Sequence, residues 1–195
     1  MASKRGIAFL LSIVPIFLAL LWLWQSRGLD VFYHARVASL VNLVYPRIDP
    51  FHVVREASVD SDEFVIRLLA NGRRTSMYVN AQDITWNLAM MVSLYIASAT
   101  WHRRFWLWFV GSVAALVVIH VGTVMTIAHE GLLTNPEIAS GLPRSAMGEW
   151  LVIHYNRFYE ELGVHLLVIG LWLPYVMTLL RPRVGAGRGE AVQPH

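Results

Sequence analysis

Four long apolar stretches constrain what this chain can fold into more than any other feature. They are residues 7–24, 84–100, 105–128 and 162–180. A helix needs roughly 20 apolar residues to cross a bilayer, within a range of about 17–25. The 56% hydrophobic residues and the mean hydropathy of +0.49 exceed what the core of a soluble domain requires. We therefore predict an all-α membrane protein built on a bundle of four transmembrane helices.

The first stretch follows Lys4 and Arg5, as the apolar part of a signal peptide would. It ends in Leu-Trp-Leu-Trp-Gln and lacks the small residues of a cleavage site. We predict an uncleaved membrane anchor.

The basic residues predict the orientation. With a cytoplasmic N-terminus, the cytoplasmic segments carry a net charge of +6 and the external segments −3, which together give the chain's +3. The cytoplasmic basic residues are Lys4, Arg5, Arg103, Arg104, Arg181, Arg183 and Arg188. Because short cytoplasmic loops are enriched in Lys and Arg, both termini are expected in the cytoplasm. The expected location is the bacterial inner membrane.

The stretches divide the chain into six segments. Residues 1–28 form the N-terminus and first span, 29–83 an external segment, and 84–128 the second and third spans. Residues 129–161 form a second external segment, 162–180 the fourth span, and 181–195 a Gly- and Pro-rich tail that is expected to be disordered.

The first external segment opens with an amphipathic pattern. From residue 31 to 45 the apolar Tyr33, Val37, Leu40, Val41 and Val44 recur at helical spacing. We predict a helix that Pro46 ends, lying in the outer membrane interface or against the other helices.

Three short runs rich in β-branched and aromatic residues follow: FHVVREAS, EFVIRLLA and TSMYVN. Asn71-Gly72, which separates the last two, suits a two-residue hairpin turn. We predict an external three-stranded antiparallel sheet, which is too small to be stable unless it packs on an apolar surface.

The second external segment becomes helical at Ser145 and runs towards the last span. It carries Trp150, Tyr155, Phe158 and Tyr159, whose rings suit the headgroup level of a membrane. We predict that Trp150 and Tyr155, together with Asn71, Gly72 and Tyr78 of the sheet, contact partner proteins.

Polar residues inside the spans are candidates for a site. His120 lies about 12 Å from the outer end of its span, and Asn87 and His165 lie near the outer ends of theirs. Glu161 precedes His165 by four residues and is expected on the same helix face. We predict an intramembrane polar cluster of Asn87, His120, Glu161 and His165 near the outer surface.

Several chemistries fit such a cluster. Hydrogen bonds that fix helix packing are one reading. A haem b bound by His120 and His165 is the alternative, which would make the chain a redox subunit exchanging electrons with quinone. A metal bound with Glu161 and a proton or substrate path are further options.

Other chemistries are excluded or unsupported. The chain has no cysteine, so disulfides, thiolate metal sites and cysteine nucleophiles are excluded. Nucleotide-binding and zinc-protease motifs are absent, and the scattered basic residues give no pattern for binding nucleic acid. We expect no catalytic residue, no bound metal and no cofactor.

The anchor, the small external β segment, the run MYVNAQDITWNLAMMVSLYIA and two further spans together resemble the accessory polytopic membrane proteins associated with exosortases. Exosortases themselves use a Cys/Arg/His centre, which a chain without cysteine cannot form. The resemblance implies a helper. The expected function is a non-catalytic accessory or assembly subunit that contacts other integral membrane proteins and the lipid bilayer.

Overall fold

A computed structural model describes residues 4–26, 28–48, 54–70, 73–98, 103–135 and 145–180 of the chain. The first half contains α1 (Lys4–Ser26), α2 (Leu29–Ile48), β1 (Val54–Asp60), β2 (Glu63–Ala70) and β3 (Arg73–Asn80). The second half contains α3 (Ala81–Thr85), α4 (Asn87–Ala97), α5 (Arg103–Thr134), α6 (Ala146–Phe158), a π-helical turn (Tyr159–Gly163) and α7 (Val164–Leu180). The tail predicted to be disordered, 181–195, lies outside the described residues.

Two helices are long and apolar enough to cross a membrane. One is α5, with 32 residues, and the other is the continuous run Ala146–Leu179, with 34 residues. They contain the predicted third and fourth spans. A third span results if Leu11–Ser26 and Leu29–Ile48, which meet at an angle of 73°, are counted as one broken helix. The chain is therefore mostly helical with membrane-type helices, and the count of four spans stays a prediction.

The corner between α1 and α2 lies at Gly28. Its φ of +63° belongs to the left-handed region that glycine adopts without steric cost. The predicted first span, residues 7–24, lies within α1. Because α1 packs against α4 as well as α2, the anchor is part of the bundle.

The predicted second span, residues 84–100, is not one continuous helix. The chain turns at Trp86, and α4 has only 11 residues, about 16 Å of helix. Seven of those residues are buried, among them Asn87, Met91 and Tyr95. The apolar character of this stretch therefore reflects burial within the protein more than contact with lipid.

The α2 helix is amphipathic, as predicted, and lies against β1 and α5. Two details of the prediction are wrong. Leu40 is 37% exposed, whereas Ala38 is buried on the inner face. Pro46 does not end the helix, which continues to Ile48. A proline this close to the C-terminus removes one intrahelical hydrogen bond, and the last turn tolerates that loss.

The predicted three-stranded antiparallel sheet is confirmed, with strand order β1-β2-β3. Ala70 pairs with Arg73, which leaves two residues for the connecting turn. Those two are Asn71 and Gly72, which lie outside the described residues. Alternate residues of β2, Phe64, Ile66 and Leu68, are buried in one core with α2 and α5 residues. The small sheet therefore packs on the apolar surface that it was expected to need.

The outer strand β1 is held by a side chain of α2. The Asn42 amide donates a 2.7 Å hydrogen bond to the carbonyl oxygen of Ala57 and accepts one from the Ala57 N–H. These two bonds satisfy part of the edge that β1 would otherwise leave unpaired. They also fix the position of the sheet relative to the helices.

The sheet packs near the C-terminal end of α5, whereas Arg103 and Arg104 lie in its first turn. Met77 of β3 lies so close to Gly131 that a Cβ there would collide with its terminal methyl group. At the other end, near Arg103, the side chains of Trp172 and Tyr175 donate to Ser98, at 3.0 and 3.1 Å.

We predict that Asn42→Ala destabilises the attachment of the sheet. The substitution leaves the Ala57 amide group without its partner, and such a loss costs about 1–3 kcal/mol. Hydrogen exchange of β1 amides in detergent-solubilised protein should accelerate. The control is Ser39→Ala, which removes only an exposed bond to Ala35 of the same helix. Equal exchange in both variants would contradict the assigned role of Asn42.

Candidate functional site

His120, in the middle of α5, is completely buried and has a hydrogen bond at each ring nitrogen. Its Nδ1 lies 2.7 Å from the Tyr33 hydroxyl of α2, and its Nε2 lies 2.8 Å from Oδ1 of Asn87 at the start of α4. The Tyr33 and His120 rings also meet edge to face, with centroids 5.8 Å apart. His120 therefore connects three helices through its two nitrogens.

The bonds continue from Asn87 to the π-helical turn. The Asn87 Nδ2 donates to the Tyr159 hydroxyl and to the carbonyl oxygen of Val164, both at 3.5 Å. The Tyr159 hydroxyl donates to the carbonyl oxygen of Ile84 at 2.9 Å. We call Tyr33, Asn87, His120 and Tyr159 the His120 cluster.

The chemistry of these groups fixes the direction of the bonds. Because the Val164 carbonyl can only accept, the Asn87 amide must direct its nitrogen there and its oxygen towards His120. His120 therefore donates from Nε2, and in the neutral ring Nδ1 accepts the proton of Tyr33. Every donor and acceptor in the His120 cluster has a consistent partner, which is the pattern of a polar group that fixes helix packing.

A second buried histidine, His34 of α2, lies between the helices and the sheet. Its Nε2 is 2.6 Å from the Thr85 hydroxyl, whose own proton goes to the carbonyl oxygen of Ala81. His34 is therefore the donor to Thr85. Its Nδ1 has no hydrogen-bond partner among the described residues, and its ring packs edge to face on Phe64.

A third polar group lies towards the other end of the bundle. The Tyr95 hydroxyl is 2.7 Å from the Ser112 hydroxyl, and both groups reach the carbonyl oxygen of Leu171 on α7, at 3.3 and 3.2 Å. Tyr95 also stacks on Tyr175, with ring centroids 5.3 Å apart. These contacts join α4, α5 and α7 below the His120 cluster.

The predicted cluster of Asn87, His120, Glu161 and His165 is brought together only in part. Asn87 and His120 lie together and are bonded. Glu161 and His165 have exposed side chains, and neither has a hydrogen bond to Asn87 or His120. His165 instead meets the edge of the Trp86 ring, with centroids 5.3 Å apart.

The haem alternative required His120 and His165 as paired ligands. In the observed packing, an iron could bind His120 only by displacing Tyr33 or Asn87. Among the described residues, no group of three His, Asp or Glu side chains is placed to hold a metal ion.

The residues predicted to contact partners have different environments. Asn71 and Gly72 lie outside the described residues. Tyr78 is 63% exposed on the outer face of the sheet, and Trp150 is 55% exposed and stacked on His154. Tyr155 has a structural contact as well, since its hydroxyl lies 3.0 Å from that of Thr123.

Sequence reasoning missed Tyr33, His34 and Tyr159. The first two lie on the helix that was predicted to be external, and Tyr159 was assigned to the headgroup level. A helical pattern that placed His34 on the same face as Val37 and Val41 was the signal that could have identified His34 as buried.

No family model, curated protein or solved structure matches this chain.

We predict that His120→Phe destabilises the bundle far more than His165→Ala. The first substitution leaves the Tyr33 hydroxyl and the Asn87 oxygen unpaired, at about 1–3 kcal/mol each. The second removes an exposed side chain and should cost less than about 1 kcal/mol. Thermal unfolding in detergent measures both.

Absorbance spectra of the oxidised and reduced wild-type protein test the haem alternative on the same samples. That alternative predicts a Soret band which both substitutions abolish. If His120→Phe and His165→Ala destabilised the protein equally, the structural role would not be specific to His120, which would contradict its assignment.

Proposed function

We propose that this chain is a non-catalytic accessory or assembly subunit of a larger bacterial inner-membrane complex. It acts through contacts with other integral membrane proteins and with lipid. The observation that carries the proposal is the length of one exposed apolar face. The resemblance to exosortase-associated proteins favours a membrane-embedded enzyme of that class as the partner.

The exposed face follows α6, the π-helical turn and α7. Large apolar side chains that are 42–73% exposed recur along it, mostly three or four residues apart, with one gap of seven between Leu151 and Phe158. We call them the α6–α7 stripe: Met147, Trp150, Leu151, Phe158, Leu162, Leu166, Ile169, Leu173 and Met177.

This stripe is longer than the hydrocarbon core of a bilayer is thick. From residue 147 to residue 177 a helix rises about 45 Å, whereas the hydrocarbon core measures about 30 Å. A tilt of about 20° shortens the span by only a few ångströms. Because the predicted span 162–180 already takes up about 28 Å of that depth, the apolar residues of α6 extend beyond it and require another cover. A neighbouring membrane protein is the cover that we propose.

The interior supports a structural role. The polar groups of the His120 cluster bond to one another and to backbone carbonyls, so their donors and acceptors are already engaged. A catalytic group must instead be accessible to its substrate.

We further propose a four-span arrangement with both termini in the cytoplasm and the sheet in the periplasm. The charge asymmetry of the sequence supports it. The separation of the sheet from the Arg103 end of α5 is consistent with this arrangement.

Single-cysteine labelling tests the orientation. Because the chain has no cysteine, one introduced thiol is labelled without background. A maleimide that cannot cross membranes should label Ser76→Cys on the exposed sheet in intact spheroplasts and label Ser3→Cys only after lysis. Labelling of both positions in intact spheroplasts would contradict the proposed topology.

Extraction in a mild detergent tests the subunit proposal. The tagged protein should recover a partner in fixed stoichiometry. The variant Trp150→Ala with Leu151→Ala should reduce this recovery about tenfold or more, as for central interface residues. The control is Leu107→Ala with Val118→Ala, two substitutions of similarly exposed residues on α5. Recovery of the wild type as a lone monodisperse monomer would contradict the proposal.

A further inference from the structure

A cleft of about 590 Å³ opens between the end of β3, α3 and the π-helical turn. Its volume lies within the range of about 300–1,000 Å³ that is typical of small-molecule sites. Its apolar floor is formed by Ile84 and Val164, which are buried, and by Ile127 of α5. We call it the β3–α7 cleft.

The rim of the cleft carries negative charge that nothing in the described residues neutralises. Asp83 of α3 and Glu160 of the π-helical turn both line it, and no arginine or lysine does. Among the described residues, neither carboxylate has an ion-pair or hydrogen-bond partner. A cation with N–H donors is the complement of two such carboxylates.

Aromatic rings on the same rim favour a cationic ligand as well. Tyr78 and Trp86 line the cleft alongside the two acids. The faces of such rings attract ammonium groups, with an effect that grows as the site loses water.

Below the rim the surface becomes apolar. His165 lines the cleft, and the exposed Ile169 and Leu173 follow it on the same helix face, one and two turns deeper. This order, charged above and apolar below, matches a molecule with a cationic head and a hydrocarbon chain.

We propose that the β3–α7 cleft binds one phospholipid with a primary ammonium headgroup, from the leaflet on the side of the sheet. The ammonium group contacts Asp83 and Glu160, and an acyl chain follows Ile169 and Leu173. The inference rests on the membrane placement in the proposed function, but it requires no partner protein.

Native mass spectrometry of the full chain tests the proposal. The protein is released from nanodiscs that contain equal amounts of phosphatidylethanolamine, phosphatidylcholine and phosphatidylglycerol with matched acyl chains. The wild type should retain one phosphatidylethanolamine, at about ten times the level of either other lipid, because charge-assisted hydrogen bonds are lost with the others.

Two variants distinguish binding at the cleft carboxylates from a general effect of negative charge on the protein surface. The double substitution Asp83→Asn with Glu160→Gln should abolish the preference, whereas Glu161→Gln should keep it. Glu161 is an exposed neighbouring carboxylate that does not line the cleft. Equal thermal unfolding of all three proteins verifies that each is folded.

Three results would overturn the proposal. The first is equal retention of the three lipids by the wild type, and the second is an unchanged preference in the double variant. The third is displacement of the lipid by an equal concentration of chain-free glycerophosphoethanolamine. The last result would identify a site for a soluble amine. Selective lipid binding by a chain that recovers no partner would overturn the subunit proposal alone.

Discussion

A buried polar group must find a partner inside the protein, and in this chain that requirement is met at His120. A histidine surrounded by apolar side chains loses its water, so each ring nitrogen needs a hydrogen bond. Tyr33 from α2 and Asn87 from α4 supply them, and Asn87 passes the connection to Tyr159 and Val164. Dispersion and apolar burial act without direction, whereas these bonds have fixed geometry. They therefore select one register among the many in which apolar helices can pack.

Much of the fold could be predicted because it depends on local patterns. Hydropathy located the membrane-type helices, alternation and the Asn71-Gly72 spacing gave the sheet, and helical periodicity gave α2. The proximity of Asn87 to His120 also followed from estimated depth alone. What could not be predicted is whether an apolar segment faces lipid or protein. The buried α4 and a lipid-facing span have the same composition, since both environments exclude water.

The helix that carries Glu161 and His165 is not regular. Glu161 and His165 were placed with His120 on the assumption of a regular helix through residue 161. The structure has a π-helical turn at Tyr159–Gly163, which changes the angular position of the residues that follow. Tyr159, the first residue of the turn, is buried at 2% exposure, whereas Glu161 and His165 lie at the surface. We identified no residue pattern in the sequence that predicts this turn.

The π-helical turn contributes Tyr159 to the buried His120 cluster and Glu160 to the cleft at the surface. Tyr159 donates to the backbone at Ile84, and the adjacent Glu160 lines the β3–α7 cleft. Asn87, which begins α4, follows directly after Trp86, whose ring contacts His165 at the cleft. A ligand held by Asp83 and Glu160 would therefore rest on elements that the His120 cluster positions. Because the backbone at Ile84 and at Val164, on the two sides of the cleft, accepts hydrogen bonds from buried groups, we expect binding there to require little reorganisation.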